Sequence, residues 1–96
     1  MEPAKDDIAI SDVVVSTAGR DAGDLFYVVG RASDRLLLVN GKNRTLEKPK
    51  RKRPRHVRKV LRSETRVAEK LLSGDKLLNS ELRRDLAFLA RQMQSE

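Results

Sequence analysis

Eleven of the chain's 21 basic residues lie between Lys42 and Arg62, a stretch in which Glu47 is the only acid. That block limits what the rest can build, because like charges set side by side repel one another and cannot form a core. Within it Pro49 and Pro54 each lack a backbone donor and restrict the residue before them. The run from Lys48 to Lys59 is therefore expected to be neither a helix nor a central strand, but an extended arm holding its charges outward. It separates two apolar groups, the aliphatic stretches between Ile8 and Leu46 and the leucine-rich stretch after Val57. In 96 residues this leaves room for one small domain with an appendage. The chain has no cysteine, so neither disulfides nor thiolate metal ligands can reinforce so thin a core.

Cut into three, the net charge of +7 is −3 up to Gly41, +10 from Lys42 to Arg62 and zero thereafter. Concentrated charge of this kind calls for a densely negative partner, and nucleic acid is the first candidate, since neutralising phosphates releases counterions. A solvated linker and a nuclear-import signal at Pro49-Lys50-Arg51-Lys52-Arg53 are the alternatives. Met1 to Asp7 is polar and acidic, unlike a signal peptide. No run approaches the roughly 20 apolar residues of a membrane span. A soluble, cytoplasmic protein with no membrane partner is expected.

Ile8 to Val15 reads as a strand ending in three valines, broken by a loop from Ser16 to Gly23. Leu25 to Val29 and Leu36 to Val39 read as two further strands, with Gly30 to Asp34 between them. Asn40-Gly41 follows at once, and this pair predicts a tight hairpin that returns Thr45-Leu46 onto Leu36 to Val39. His56-Val57 adds a short closing strand. After Ser63, a plausible N-cap, Val67, Ala68, Leu71 and Leu72 recur at helical spacing up to a stop at Gly74. Asn79 or Ser80 caps a second helix with the apolar stripe Leu82, Leu86, Leu89 and Met93. A helical hairpin cannot bury both stripes alone, so it docks on the sheet, on a second copy or on a protein partner.

The stretch from Val14 to Gly23, with Gly19-Arg20-Asp21-Ala22-Gly23 at its turn and Phe26 and Val28 after it, resembles the KOW motif. Leu38-Val39-Asn40-Gly41-Lys42, then Arg44, Leu46 and the basic run to His56-Val57, continue the likeness. The whole is similar to bacterial KOW-domain RNA-binding proteins related to large-subunit ribosomal proteins of archaea and eukaryotes. Leu72 to Lys76 and Glu81 to Arg84 also resemble the C-terminal part of those proteins. The resemblance implies a small SH3-like β-barrel. With the reading of the residues this gives an α+β chain: the barrel over 8–58 with the basic arm 48–59, a two-helix extension over 60–96 and a flexible acidic start at 1–7. The acidic start and the residues from Phe88 to Glu96 depart from the family pattern. The resemblance also implies RNA binding, association with ribosomes or translation, and an RNA-facing loop at Arg20.

The physics of the Gly19–Gly23 turn does not depend on that likeness. Its glycines permit positive φ, Asp21 can close an Asx turn, and Arg20 projects a planar fork of donors suited to phosphate. Arg20 could instead pair with Asp21 or Asp24 on the surface. Phe26 and Tyr27 are neighbours on a strand, so one faces in and one out; Tyr27 either stacks on an unpaired base or belongs to the core or its rim. The loop lacks the Gly-Lys-Ser/Thr ending of a phosphate-binding loop. His56 reads as a strand-end or RNA-contact residue. The acids Asp6, Asp7, Asp21 and Asp24 read as surface charge, and no enzyme, metal or cofactor is expected.

Structured RNA, ribosomal RNA first, is thus the expected partner, bound through Arg20, Lys42, Arg44, Lys48, Lys50, Arg51, Lys52, Arg53, Arg55, His56, Arg58 and Lys59. A DNA-binding or nucleoid-type protein using the same cations is one rival reading. Another is an interaction module whose Leu82, Leu86, Leu89 and Met93 stripe grips a partner helix. If the run is a displayed arm, alanines at Lys50, Arg51, Lys52 and Arg53 weaken RNA binding and leave thermal unfolding nearly unchanged.

Overall fold

The computed structural model describes residues 7–94, so the acidic start expected at 1–7 lies, apart from Asp7, outside the described residues. Five strands, β1 (Asp12–Ser16), β2 (Leu25–Ala32), β3 (Arg35–Val39), β4 (Lys50–Lys52) and β5 (Val57–Arg62), precede the helices α1 (Arg66–Ser73) and α2 (Asn79–Gln94). The strands pair antiparallel in one open sheet of order β4-β3-β2-β1-β5. The fold is α+β. β4 ends at Lys52 and β5 begins at Val57, so residues 53–56 carry the chain from one edge of the sheet to the other, through a 3₁₀ turn at Pro54–His56. In a flat sheet those edges would lie about 19 Å apart, whereas a 3₁₀ stretch advances only about 2 Å per residue. The sheet is therefore strongly curled.

Strand alternation sorts the apolar side chains onto two faces. On the concave face Val14, Phe26, Val28, Leu36, Leu38 and Val57 pack with Ile8. On the other face Val13, Tyr27 and Val39, aligned across β1, β2 and β3, meet Val67, Ala68, Leu82, Leu86 and Leu89 of the helices. Both aromatic neighbours are consequently buried, Phe26 at 1% and Tyr27 at 0% exposure. A base-stacking role for Tyr27 is excluded by this burial. Its hydroxyl is held by Ser63 Oγ at 2.8 Å, Thr65 Oγ1 at 3.2 Å and the Asp85 carboxylate. Burial, and then the acceptor Asp85, push its pKa up to about 12.

The helices follow from local signals and are fixed by a few polar contacts. Thr65, rather than Ser63, caps α1, accepting from the Ala68 N–H, while Gly74 ends the helix in the left-handed region. Ser63 is buried against Tyr27 instead. α2 begins at Asn79, whose side chain accepts from Leu46 N and donates to Glu47. The stripe Leu82, Leu86 and Leu89 is spent on the sheet, each side chain contributing about 1.5–3 kcal/mol by its burial. Of the three ways to cover it, the chain uses its own sheet, so the stripe is not free to grip a partner helix. Met93 is half-buried.

Three strand expectations are corrected. β1 starts at Asp12, because Ser11 takes φ 77° and Ala9 N bonds to the Asp12 carboxylate, turning the chain before the valines. β2 continues through Gly30 to Ala32 across a register shift between Val28 and Gly30. The tight turn of the β2–β3 hairpin is then Ser33-Asp34, with Ser33 at φ 60°. Asn40-Gly41 does not make a hairpin back onto β3: β3 pairs with Lys50–Lys52, not with Thr45-Leu46. The positive φ of Gly41, 76°, serves helix docking, since a Cβ there would collide with the Asn79 carbonyl and lie 2.9 Å from Leu82 Cβ. Arg83 Nη1 donates to the Gly41 carbonyl at 2.7 Å across the same contact.

Gly74 has a similar φ, 77°, but open space around it. Gly74→Ala is expected to cost about 1 kcal/mol from backbone strain alone. Gly41→Ala is expected to cost about 3 kcal/mol, because the collision adds an overpacking penalty. Urea unfolding of the two variants checks this, and equal losses would mean that the Gly41 contact does not fix α2.

Candidate nucleic-acid interface

The basic run is folded, not an arm. Lys50–Lys52 forms the edge strand β4, Pro54–His56 the 3₁₀ turn and Val57–Arg62 the opposite edge strand β5. The prolines stay out of the strands themselves: Pro49 precedes β4, and Pro54 opens the 3₁₀ turn, where its missing N–H costs nothing. In β4 the alternation Lys-Arg-Lys sends residues 50 and 52 to one side and Arg51 to the other. On the inner side they meet Asp21 from the β1–β2 loop. Lys52 Nζ lies 2.6 Å from Asp21 Oδ1 and 2.7 Å from the Ala18 carbonyl. Lys50 Nζ forms an ion pair with Asp21 Oδ2 at 2.8 Å. Ser16 Oγ donates to Asp21 Oδ1 at 2.7 Å.

Burial by itself would raise the Asp21 pKa, but the Lys50 and Lys52 ammoniums and the Ser16 hydroxyl outweigh it and hold the carboxyl well below the usual range. Asp21 is thus not surface charge, and its partner is not Arg20. A second tie, from Thr17 N to the His56 carbonyl at 2.8 Å, fastens the same loop to the 3₁₀ turn. A third cation of the run, Lys59, reaches back 3.2 Å to the buried Asp12.

The remaining cations face outward. Lys42, Arg44, Lys48, Arg51, Arg53, Arg55, Arg58 and Arg62 are all exposed, and none forms an ion pair among the described residues. Arg20 is likewise exposed and unpaired at the tip of the clamped loop. The ties from Asp21 and Thr17 bring the loop of Arg20 against the segment carrying Arg51, Arg53 and Arg55. On the loop's other side a shallow groove of about 510 Å³ is shared by Gly23, Asp24, Asn40, Lys42 and Arg83. Arg20, Lys42, Arg51, Arg53, Arg55 and Arg58 thus lie about the loop, while Arg44 and Lys48 are exposed on the segment between β3 and β4. His56 is half-buried in the 3₁₀ turn, with its carbonyl engaged.

Sequence reasoning stopped the run at Lys59 and so passed over Arg62, which the charge of the block already included. It also missed the division of labour within β4. The signal was present: a Lys-x-Lys pair on one strand face opposite an acid in a glycine-bounded loop. Among the described residues, no three histidine or acidic side chains gather into a group that could hold a metal. No helix there is long and apolar enough to cross a membrane. No protein-family model matches the chain, and comparison with curated proteins finds none similar to it.

Removing Asp21 leaves Lys52 buried at 7% exposure without its counter-charge. Asp21→Asn is expected to cost about 3 kcal/mol near pH 7. Because the folded pKa is depressed, that stabilisation is complete above the ordinary aspartate value of 3.8 and is lost as pH falls below it. The stability gap between wild type and Asp21→Asn should therefore stay constant from pH 7 to about 5 and narrow by about 1.4 kcal/mol per pH unit below about 4. Denaturant titrations at stepped pH measure it. A gap that persists undiminished to pH 2 would contradict the clamp. For the same reason, alanines at Lys50 and Lys52 lower stability, so the block substitution of residues 50 to 53 cannot isolate binding.

Proposed function

We propose that the chain binds structured RNA through the exposed cations around the β1–β2 loop, and that it acts inside the cell without a catalytic step or a cofactor. The observation that carries this reading is that eight exposed cations between Lys42 and Arg62 form no ion pair among the described residues. Self-repulsion among these cations is relieved by phosphates, whose counterions are released on binding. Asp21 and Thr17 tie the loop to β4 and the 3₁₀ turn, so the neighbouring arginines project from backbone positions of fixed spacing, a property suited to a folded phosphate surface more than to a flexible strand. Buried Phe26 and Tyr27 leave this face without an aromatic platform, which directs its readout to phosphates and shape.

The strand order β4-β3-β2-β1-β5, with a 3₁₀ turn just before the last strand, supports reading the curled sheet as an SH3-like barrel. That fold and RNA binding are both implied by the likeness of Val14–Gly23 and Leu38–Val57 to KOW-domain proteins. The likeness makes ribosomal RNA the first substrate to try and translation the first setting.

Filter binding of a structured ribosomal RNA fragment across several salt concentrations tests the proposal. Affinity is expected to fall steeply with salt. The triple variant Arg51→Ala, Arg53→Ala, Arg55→Ala is expected to reduce the slope of log affinity against log salt by about 2 to 3, with thermal unfolding unchanged. A flat salt slope would contradict RNA binding, and preference for matched duplex DNA in competition would favour a nucleoid-type role.

A further inference from the structure

We infer that the groove between α1 and α2 is a second nucleic-acid site that takes one unpaired nucleotide, its base stacked on Phe88 and its phosphates held by Arg66, Arg84 and Arg91. The groove encloses about 420 Å³ and opens to solvent, room for a single nucleotide but not for a duplex. Phe88 is 46% exposed on its wall. Phe26 and Tyr27 are buried, so Phe88 is the one aromatic ring that the described residues offer to a partner.

Charge selects the occupant. Four cations line the groove, Arg66, Lys70, Arg84 and Arg91, against the two carboxylates of Glu81 and Asp85. Both carboxylates are already engaged. Asp85 accepts from Thr65 Oγ1 at 2.9 Å and from the Tyr27 hydroxyl. Glu81 is bound by Lys70 Nζ at 2.7 Å and by the Leu78 N–H at 2.8 Å; these bonds, with a smaller pull from Arg84, hold its carboxyl below the usual range. Arg66, Arg84 and Arg91 are exposed and outside any ion pair among the described residues. A ring flanked by guanidiniums matches a base with its phosphates, because every base offers a π-face and arginine pairs with phosphate in a planar fork.

In the chain, only residues 63–65 separate β5, which carries exposed Arg58 and Arg62, from Arg66 at the start of α1. A structured RNA seated on the sheet edge could thus extend an unpaired nucleotide into the helical groove. To that extent the inference rests on the proposed RNA binding, but it assigns a different residue and a different ligand geometry.

The chain has no tryptophan, so Phe88→Trp installs a single reporter. Titrating that variant with an unstructured oligoribonucleotide should quench its emission saturably, whereas inorganic polyphosphate should not. Phe88→Ala should weaken the same oligonucleotide about tenfold by fluorescence anisotropy and leave a blunt RNA duplex unaffected. Unchanged emission of Phe88→Trp at saturating oligonucleotide overturns the groove site. Equal weakening of duplex and single strand by Phe88→Ala also overturns it. If the wild type binds neither RNA, the proposed function fails as well; if it binds the duplex but Phe88→Ala changes nothing, only the groove assignment falls.

Discussion

Lys52 is a buried ammonium in a chain with little core to spare, and its charge is tolerable only because Asp21 and the Ala18 carbonyl surround it. A lone buried charge costs several kcal/mol, and the pair survives because its hydrogen-bonding capacity is also met. The consequences reach beyond the pair. Asp21 belongs to the loop between β1 and β2, and Lys52 to β4, which is separated from β2 by one strand and from β1 by two. Joining them fixes the curl that lets residues 53–56 cross from edge to edge. The same contact positions Arg20 beside the 3₁₀ turn, so the electrostatics of the interior sets the geometry of the exterior.

This arrangement explains how a strongly basic segment can also be part of a folded sheet. Strand alternation divides it: inward lysines neutralise the carboxylates of Asp21 and, through Lys59, Asp12, while arginines dominate the exposed side. Lysine suits the inner role because a single flexible ammonium can reach a fixed carboxylate, and arginine suits the outer one because its fork matches phosphate. The helices do separate work. They cover the convex face with Leu82, Leu86 and Leu89 and leave Phe88 and its neighbouring arginines outside.

Much of the fold was legible where one local signal had one meaning. The valines of β1, the stop of α1 at Gly74 and the stripe of α2 form as their spacing indicates, whereas the cap of α1 falls on Thr65 and not on Ser63. Misreadings arose where a signal serves two purposes. Gly41 has the positive φ of a hairpin turn, yet uses it to admit the Asn79 backbone, a contact 38 residues away that no local pattern records. Ser33 turns the β2–β3 hairpin in a conformation unusual for a side-chain-bearing residue. Phe26 and Tyr27 were assigned to opposite faces correctly, but the outward face is itself roofed by helices, so alternation could not reveal that Tyr27 is buried. Charge counting located the basic run; it could not tell the paired Lys50 and Lys52 from the free arginines beside them, because pairing depends on tertiary contact.

The central claim is that lysines 50 and 52 hold the fold while the arginines of the same run meet RNA. A single titration of labelled protein with structured RNA, followed by the side-chain nitrogen resonances of both residue types, tests it most directly. The account predicts that the guanidinium signals of Arg51, Arg53 and Arg55 shift as RNA is added, while the ammonium signals of Lys50 and Lys52 stay in place. Shifts at the two lysines with silent arginines would contradict it.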